Sequence, residues 1–324
     1  MDFMLSLVVP MYNEEENIDY FYSKITNVMK EYKYNYEVIC INDGSKDKTL
    51  LKLINLAEQD SRIKIVDLSR NFGKEVAMTA GLRSSNGDAV IPIDADLQDP
   101  PELIPILIEK WQEGYDVVYA TRQKREGETL IKKTTAHLFY RFIKKITKID
   151  IPEDTGDFRL MSRQVVDALN QLPEHHRFMK GLFSWVGFKQ TSIYYQREPR
   201  FAGKTSFNYW KLWNFAIEGI TSFSFVPLQI AMYLGFIISS LSLIYAGYLV
   251  VETLIAGNSV PGYPSIMVAV LFFGGVQLIT LGIIGEYIGR IYNETKRRPL
   301  YIVREAINFN SETESELMKV VNSK

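Results

Sequence analysis

The chain has almost no cysteine and no surplus of either charge, and each shortage argues against a class of protein. Cys40 is the only cysteine among 324 residues, which excludes an internal disulfide framework and is typical of a reducing compartment. The 37 Lys and Arg residues stand against 38 Asp and Glu residues, so the sequence does not indicate a nucleic-acid-binding protein. Met1–Pro10 has no basic residue and only a short apolar run, so we expect no secretory signal and a cytosolic N-terminal part.

Charge is also absent from two long stretches near the C-terminus, Val226–Val251 and Ser265–Gly285. Each exceeds the roughly 20 residues that a helix needs to cross the hydrocarbon core of a bilayer. The segment between them, Glu252–Pro264, has no Lys or Arg, whereas basic residues stand on both outer flanks. This asymmetry predicts a multi-pass membrane protein, with the N-terminal part and both outer flanks of the two stretches in the cytosol and the connecting segment outside. The stretches contain no ionisable acid or base that would favour a transporter.

The part of the chain before these stretches is typical of a soluble α/β domain, in which short apolar runs alternate with amphipathic stretches of helical length. The predicted strands are Leu5–Pro10, Glu37–Asn42, Ile63–Leu68, Ala89–Ile93 and Asp116–Ala120. The predicted helices are Glu15–Tyr32, Asp47–Asp60, Lys74–Ser84 and Pro101–Glu113. This alternation predicts a Rossmann-like, mostly parallel sheet with helices on both faces.

The predicted organisation is a soluble domain over residues 1–205, a juxtamembrane helix over 206–222, a two-helix transmembrane domain over 223–292 and a cytosolic tail over 293–324. Basic and aromatic residues are interleaved over about 129–147, and aromatic residues are frequent over 206–222. Helices of this composition lie in the headgroup layer of a membrane. For both segments, an ordinary helix with one core-facing side is the alternative.

Polar residues directly follow the predicted strands. They are Tyr12-Asn13-Glu14, Asp43-Gly44-Ser45, Arg70-Asn71, Asp94-Ala95-Asp96 and Arg122. The carboxyl ends of parallel strands lie at one edge of a sheet, and ligands bind in the crevice beyond that edge. We therefore predict the functional site there.

Asp94 and Asp96 are candidates for a metal site. They stand two residues apart where a strand ends, and Gln98 follows, so their oxygens suit Mg²⁺ or Mn²⁺ shared with substrate phosphates. Aspartates that only form a turn before Pro100 would give the same pattern, so the pair alone does not establish a metal site.

Asp43 is predicted to accept hydrogen bonds from a base or ribose, with Ser45 or Asp47 capping the next helix. Helix capping by the whole cluster is the alternative. Neither G-x-G-x-x-G nor a P-loop follows any predicted strand, so dinucleotide and P-loop sites are not favoured.

Several motifs together resemble the family 2 glycosyltransferases of the GT-A fold. They are VPMYNEE at 9–15, NDGSKD at 42–47, DADLQDP at 94–100 and DTGDFR at 154–159. They occur in the family's order, and with the paired apolar stretches the resemblance covers about residues 3–305. It is nearest to the polyprenyl-phosphate glycosyltransferases, which include dolichyl-phosphate mannose synthases and bactoprenol glucosyltransferases of the GtrB type.

The resemblance implies a role for each matching residue. The nucleotide would be bound by Pro10, Tyr12, Glu14, Asp43 and Asp94. The metal ligands would be Asp94, Asp96 and Gln98. The catalytic acids would be Asp96 and Asp157. The acceptor phosphate would be held by Arg122, Arg159, Arg200 and Lys204.

The reaction that the resemblance implies is the inverting transfer of a single hexose, preferably glucose from UDP-glucose, to undecaprenyl or another polyprenyl phosphate. The Q-x-x-R-W motif of processive synthases is absent, which favours one sugar per cycle. Mannose or an aminosugar is an alternative donor sugar, and a non-catalytic membrane scaffold that binds nucleotide sugar is the alternative from another class. Small residues on the second apolar stretch favour a homo-oligomer.

The role of Asp157 stays open between two alternatives. A phosphate monoester with a second pKa of about 6 is mostly dianionic at neutral pH and already nucleophilic. We therefore expect Asp157 to orient the sugar or to stabilise positive charge on its anomeric carbon, with a general base as the alternative.

Overall fold

The computed structural model describes residues 3–122, 152, 155–175, 177–195, 224–256 and 262–319. Contacts divide the chain into two compact units, Met1–Ala216 with Arg298–Lys324, and Ile217–Arg297. The predicted interface helices over 129–147 and 206–222 lie outside the described residues, as do Arg200 and Lys204.

The first unit contains an eight-stranded sheet. Its strands are β1 (Met4–Met11), β2 (Asn35–Asn42), β3 (Ile63–Leu68), β4 (Ala89–Pro92), β5 (Val117–Arg122), β6 (Thr155–Ser162), β7 (Gln190–Tyr195) and β8 (Val303–Ile307). They are arranged in the order β7-β5-β6-β4-β1-β2-β3-β8. The strands β1 to β4 are parallel to one another, whereas β6 and β8 run antiparallel to their neighbours. The prediction of an α/β fold with a mostly parallel sheet is confirmed.

Helices cover both faces of this sheet. The helices of the part of the chain that the structure describes are α1 (Ile18–Tyr32), α2 (Thr49–Gln59), α3 (Lys74–Ser84), α4 (Ile104–Gln112), α5 (Arg163–Asn170), α6 (Met179–Trp185), α7 (Val226–Ala256), α8 (Tyr263–Thr295) and α9 (Ser311–Lys319). Side chains alternate along a strand, so Leu5, Leu7 and Val9 of β1 join the core on the side of α1, α2 and α4. Val8 points to the other side, towards α3.

Gly81 allows α3 to lie close against the sheet. A Cβ atom at this position would lie 2.3 Å from Val8 Cγ1 and 2.5 Å from Ile41 Cδ1, so any side chain would displace the helix. Since α3 begins at Lys74, directly after the loop that follows β3, this close packing fixes Lys74 at the carboxyl edge of the sheet.

The C-terminal region is more ordered than the sequence indicated. Residues 293–324 were expected to form a tail, but β8 is an edge strand of the sheet and pairs antiparallel with β3. Val303 and Ala306 of β8 are buried, whereas Arg304 and Glu305 between them are exposed. This mixed pattern in a short strand does not alternate, which is why periodicity missed it.

The second unit consists of α7 and α8, which are 31 and 33 residues long. Large apolar side chains are exposed on them, among them Phe236 and Leu278, each 72% exposed. Among the described residues, the segment Val268–Thr295 of α8 is long and apolar enough to cross a membrane, whereas the apolar segment Val226–Ser242 of α7 is shorter. The pair of transmembrane helices therefore stays a prediction.

Candidate active site

Parallel pairing brings the ends of several strands to one edge of the sheet. In the register of β1 with β2, Met11 is paired with Asn42, the last residue of each strand, and Tyr12 and Asp43 follow directly. β4 lies on the other side of β1 and runs in the same direction, so Asp94 emerges at the same edge. Tyr12 is 41% exposed there, whereas Asp43 is buried.

The antiparallel strand β6 brings Asp157 to this edge from the opposite direction. Val90 of β4 is paired with Met161 of β6. Asp94 is four residues after Val90, and Asp157 is four residues before Met161, so the continued register places the two acids opposite each other.

Lys74 lies between these two acids. Its Nζ is 2.7 Å from Asp94 Oδ1 and 2.7 Å from Asp157 Oδ2. Although burial disfavours its charged form, the carboxylates of Asp157 and Asp94 raise the pKa of Lys74 well above its ordinary value. Burial also disfavours the charged form of Asp157, but Lys74 and Lys180 hold the pKa of Asp157 well below its usual range. Asp157 is therefore an ionised carboxylate at neutral pH.

The second oxygen of Asp157 has no hydrogen-bond partner among the described residues. Its Oδ1 is buried and accepts no hydrogen bond from the residues that the structure describes. Most buried polar atoms are hydrogen-bonded, so this oxygen is available to a substrate hydroxyl or to positive charge that develops on a substrate.

Replacing Lys74 with methionine is expected to lower kcat about a hundredfold, the order of effect of losing a charged, partly buried hydrogen-bonding partner. Asp94 and Asp157 would then face each other without the cation that separates and orients them. The measurement is the initial transfer rate of the purified protein, with the unfolding temperature recorded alongside. Lys110→Met is the matched control, because Lys110 pairs with Glu113 on an exposed helix surface. A Lys74→Met protein as active as this control would contradict the role of Lys74.

Glu75 is a further buried acid beside this cluster. Its Oε2 is buried and has no hydrogen-bond partner among the described residues. Burial, together with the negative charge of Asp157, raises the pKa of Glu75 to about 8. The folded protein therefore keeps a proton on Glu75 that an unfolded chain loses above pH of about 4.3.

Glu75→Gln is expected to raise the unfolding temperature more at pH 8 than at pH 5. The folded-state pKa is raised, so the folded state binds more protons and stability falls as pH rises from the unfolded value towards about 8. Glutamine cannot ionise, so this loss disappears in the variant. Thermal unfolding of the two proteins at both pH values tests the expectation, with Glu58→Gln on the exposed face of α2 as control. Equal shifts at the two pH values would contradict it.

Asp94 and Asp96 lie in a tight turn after β4. Leu97 has a φ of 49° and donates its N–H to the Asp94 carbonyl oxygen at 3.3 Å. The N–H of Gln98 donates to Asp96 Oδ1 at 3.2 Å. The Tyr195 hydroxyl at the end of β7 donates to Asp99, which attaches this turn to β7, an edge strand of the sheet.

The oxygen donors of this turn fit a hard divalent cation. Among the described residues, no group of three or more His, Cys, Asp or Glu side chains is arranged to hold a metal. Mg²⁺ commonly uses only one or two carboxylates and takes water and substrate phosphates as its other ligands, so Asp94 and Asp96 suffice for that mode. Both oxygens of Asp94 lie 2.7–2.8 Å from Lys74 Nζ, so a bound ion would share or replace this contact.

Asp43 already accepts two hydrogen bonds from the next loop, and its predicted contact with a base or ribose stays a prediction. Its Oδ1 accepts the N–H of Phe72 at 2.6 Å, and its Oδ2 accepts the N–H of Gly73 at 2.9 Å. Asp47 instead accepts the N–H of Thr49, the first residue of α2, at 3.0 Å. Asp43 thus joins the loop after β2 to the loop after β3, and a contact with a ligand would use its remaining lone pairs.

Close backbone contacts connect these loops further. Gly44 has a φ of 64°, and a Cβ atom there would lie 2.5 Å from the carbonyl carbon of Arg70. The N–H of Asn13 donates to Ser45 Oγ at 3.0 Å, and the N–H of Lys46 donates to Asn13 Oδ1 at 2.8 Å. The loops after β1, β2 and β3 therefore form one connected surface.

The remaining residues predicted for the nucleotide lie on or just after β1. Pro10 is half-buried within β1, opposite Ile41 of β2. Glu14 accepts a hydrogen bond from the Asn17 side chain at 2.6 Å, and its N–H donates to Thr49 Oγ1 at 2.9 Å. Glu14 thus supports the loop that carries Tyr12.

The arginines predicted for the acceptor phosphate lie in different environments. Arg122 is the last residue of β5, opposite Tyr195 of β7. Arg159 is buried, donates to the Gly156 carbonyl oxygen at 2.8 Å and lies 4.0 Å from the centre of the Phe183 ring. Its burial lowers the pKa of Arg159 to about 10. Arg159 contributes positive charge beside Asp157 but presents little surface to a lipid.

Sequence reasoning missed Lys74, Glu75 and Lys180. A signal for Lys74 existed, because it follows Asn71-Phe72-Gly73 just after the third predicted strand, at the edge where the other site residues were sought. Lys180 and Glu75 carried no such signal, since their positions depend on tertiary packing.

Comparison with known proteins identifies the class of the chain. Residues 6–169 match the family model described as glycosyl transferase family 2, and residues 226–291 match one described as GtrB C-terminal hairpin. The chain therefore belongs to glycosyl transferase family 2, and it is a glycosyltransferase. The resemblance drawn from the four motifs is confirmed.

Two individual proteins and one solved structure are similar to the chain. The chain is 60% identical over 305 residues to an uncharacterized glycosyltransferase of Synechocystis sp., which covers 94% of this chain and 96% of that protein. It is 51% identical over 300 residues to a prophage bactoprenol glucosyl transferase homolog of Escherichia coli K12, which covers 93% of this chain and 98% of that protein. A crystal structure of glucosyl-3-phosphoglycerate synthase from Mycobacterium tuberculosis is 16% identical, with a TM-score of 0.47 over 68% of this chain and 78% of that one.

Proposed function

We propose that this glycosyltransferase moves one hexose from a nucleoside diphosphate sugar to a polyprenyl phosphate at the cytosolic face of a membrane. The acceptor and the preference for glucose follow from its similarity to bactoprenol glucosyl transferases over nearly the whole chain. UDP-glucose is the proposed donor and undecaprenyl phosphate the proposed acceptor. The observation that carries the proposal is the cluster in which one ammonium group joins Asp94 and Asp157 at the carboxyl edge of the sheet.

The proposed reaction is a single displacement that inverts the anomeric carbon. A phosphate oxygen of the acceptor forms the new bond to that carbon as the bond to the nucleoside diphosphate breaks. The acceptor phosphate has a second pKa of about 6 and is already nucleophilic at neutral pH. Asp157 is ionised and has a free oxygen, so it supports the orientation of a sugar hydroxyl or the stabilisation of positive charge at the reacting carbon.

Asp94 and Asp96, with Gln98 beside them, would hold Mg²⁺ or Mn²⁺. Such an ion, when bound, neutralises charge that develops on the departing diphosphate. Tyr12, Pro10, Glu14 and Asp43 would form the nucleotide pocket, in which the exposed ring of Tyr12 offers a surface for a base. Arg122 and Arg159, with Arg200 and Lys204, would offset the repulsion between the two phosphate-bearing substrates.

Membrane attachment is the second part of the proposal. The match of residues 226–291 to the GtrB C-terminal hairpin, and the long apolar helix within it, support two spans with both outer ends in the cytosol. The glycines of α8, such as Gly274 and Gly282, would meet no atom within 4 Å if they carried a Cβ, which leaves room for a helix of a second copy. Light scattering on the detergent-solubilised protein tests the proposed homo-oligomer.

One experiment tests the transfer itself. Purified protein is incubated with undecaprenyl phosphate, Mg²⁺ and UDP sugars or GDP-mannose that carry a label on the sugar. Label that moves from UDP-glucose into the organic phase supports the proposal, and label from another donor corrects the sugar. Nucleotide-sugar binding without any transfer would overturn the proposal in favour of a scaffold.

A further inference from the structure

The segment that follows α8 in the chain forms hydrogen bonds with both the N–H and the carbonyl oxygen of Ser69. The N–H of Ser69 donates to the Ile302 carbonyl oxygen at 2.9 Å, and Arg304 Nη2 donates to the Ser69 carbonyl oxygen at 2.9 Å. Ser69 is the first residue after β3 and begins the loop that leads to Lys74. This loop carries the N–H groups of Phe72 and Gly73 that bind Asp43.

A β-bulge directs Arg304 to this position. Asp67 of β3 is paired with Glu305, but the next residue, Leu68, is paired with Val303, so Arg304 is an extra residue in β8. Bulges re-aim side chains and are frequent beside active sites. Here the bulge turns the guanidinium of Arg304 towards β3.

Arg304 also balances the charge of a buried acid. Asp67 is 1% exposed, and Arg304 Nη1 lies 3.2 Å from Asp67 Oδ2, an oxygen that no described residue hydrogen-bonds. The other oxygen of Asp67 accepts the side-chain amide of Asn42 at 2.7 Å, and the Asn42 side-chain oxygen accepts the N–H of Ser45 at 3.3 Å. A chain of polar contacts thus leads from Arg304 to the loop that contains Asp43.

The segment around Arg304 is fixed at both ends. Tyr301 is 1% exposed and is hydrogen-bonded to Arg83 of α3. The side-chain amide of Asn308 donates to the carbonyl oxygens of Ala57 and Ile63, each at 2.8 Å. Arg304 therefore lies on a rigid support, which is what a residue needs if it is to position others.

We propose that Arg304 is a positioning residue of the nucleotide site, acting through Asp67 and Ser69 on the loops after β2 and β3. The segment that follows the C-terminal hairpin is then part of the donor site, although it touches no substrate. This inference rests on the proposed function, since it assumes that these loops bind the nucleotide of the donor.

The test is the Arg304→Met variant, with UDP as the binding probe. Loss of a charge-assisted contact to a buried carboxylate is expected to weaken UDP binding and raise KM for UDP-glucose about tenfold. KM for undecaprenyl phosphate, and kcat at saturating donor, should stay within about twofold of the parent protein, because the packing of α3 at Gly81 and the ion pairs with Asp94 and Asp157 hold Lys74 independently of Ser69. Calorimetry with UDP and initial rates for each substrate measure this, and Arg304→Gln, which also removes the charge, serves if the methionine variant does not fold.

Arg62→Met is the matched control. Arg62 forms an ion pair with Asp60 at 2.7 Å at the opposite end of β3, so its loss removes an equivalent contact away from the loops. A double-mutant cycle adds Asp67→Asn, and the double variant should bind UDP about as weakly as Arg304→Met alone, because the two residues act along one path.

The outcomes separate this inference from the proposed function. A parent protein that binds no nucleotide overturns both. Normal UDP binding by Arg304→Met overturns the inference alone. Equal losses for both substrates together with a lowered unfolding temperature would show a general structural role and also overturn it.

Discussion

Substituting Asp96 with alanine is expected to abolish sugar transfer. Asp96 lies in the turn after β4, where its Oδ1 accepts the N–H of Gln98 and its carboxylate stands two residues from that of Asp94. Without it, only Asp94 remains of the two proposed metal ligands, and a divalent ion that needs two loses half of its protein carboxylates. The diphosphate would then have to leave without its charge being neutralised, which raises the barrier to transfer.

Two measurements check this expectation, turnover at saturating Mg²⁺ and direct binding of Mn²⁺ followed by its electron paramagnetic resonance. The binding signal should disappear together with activity. Asp19→Ala is the matched control, because Asp19 is an exposed aspartate on α1 that pairs with Lys52. If the folded Asp96→Ala protein kept full activity with Mg²⁺, the metal assignment would be wrong.

Asp157→Asn is expected to lower kcat by about a thousandfold, the upper range for loss of one preorganised electrostatic contact. Asparagine keeps the size of the side chain but removes the negative charge that Lys74 and Lys180 stabilise. Binding of UDP should change little, because Asp43 and Tyr12 lie on other loops. The variant therefore shows the effect of the Asp157 charge on the chemical step separately from any effect on substrate binding.

The pH dependence of this variant distinguishes the two roles of Asp157. If Asp157 stabilises charge or orients the sugar, the ratio of parent to variant kcat should be constant from about pH 5 to 7.5, a window that spans the second pKa of the acceptor phosphate. If it is a general base, the ratio should fall as pH rises and the acceptor loses its own proton. Asp60→Asn, which removes a carboxylate from the opposite edge of the sheet, controls for general effects. Full activity of Asp157→Asn would exclude both roles.

The main part of the sheet could be predicted because its signals are local. β1 to β4 are apolar runs of a length that fits buried parallel strands, and the helices between them have clear helical periodicity. The predicted parallel strands place Tyr12, Asp43 and Asp94 at one edge of the sheet, because parallel strands end at the same edge. This prediction needs no distances between the residues. Asp157 could be assigned only through the DTGDFR motif, because β6 is not part of the βαβ alternation.

The missing parts depend on contacts between residues far apart in sequence. The position of Lys74 between Asp94 and Asp157 follows from the close packing of α3 at Gly81 and from the register of β6, neither of which a pattern reveals. The two backbone N–H groups that Asp43 accepts from the next loop could not be predicted either, because they depend on how the loops after β2 and β3 meet. β8 was missed because two exposed charged residues separate the buried Val303 and Ala306, so the strand lacks the alternating pattern that predicts one.

The place of β8 in the chain has a consequence for biosynthesis. β3 stays an open edge until residues 303–307 have left the ribosome, and these residues are translated only after both helices of the hairpin. Open edges attract other strands, so a chain that lacks residues 303–307 would expose β3 to pairing with other chains.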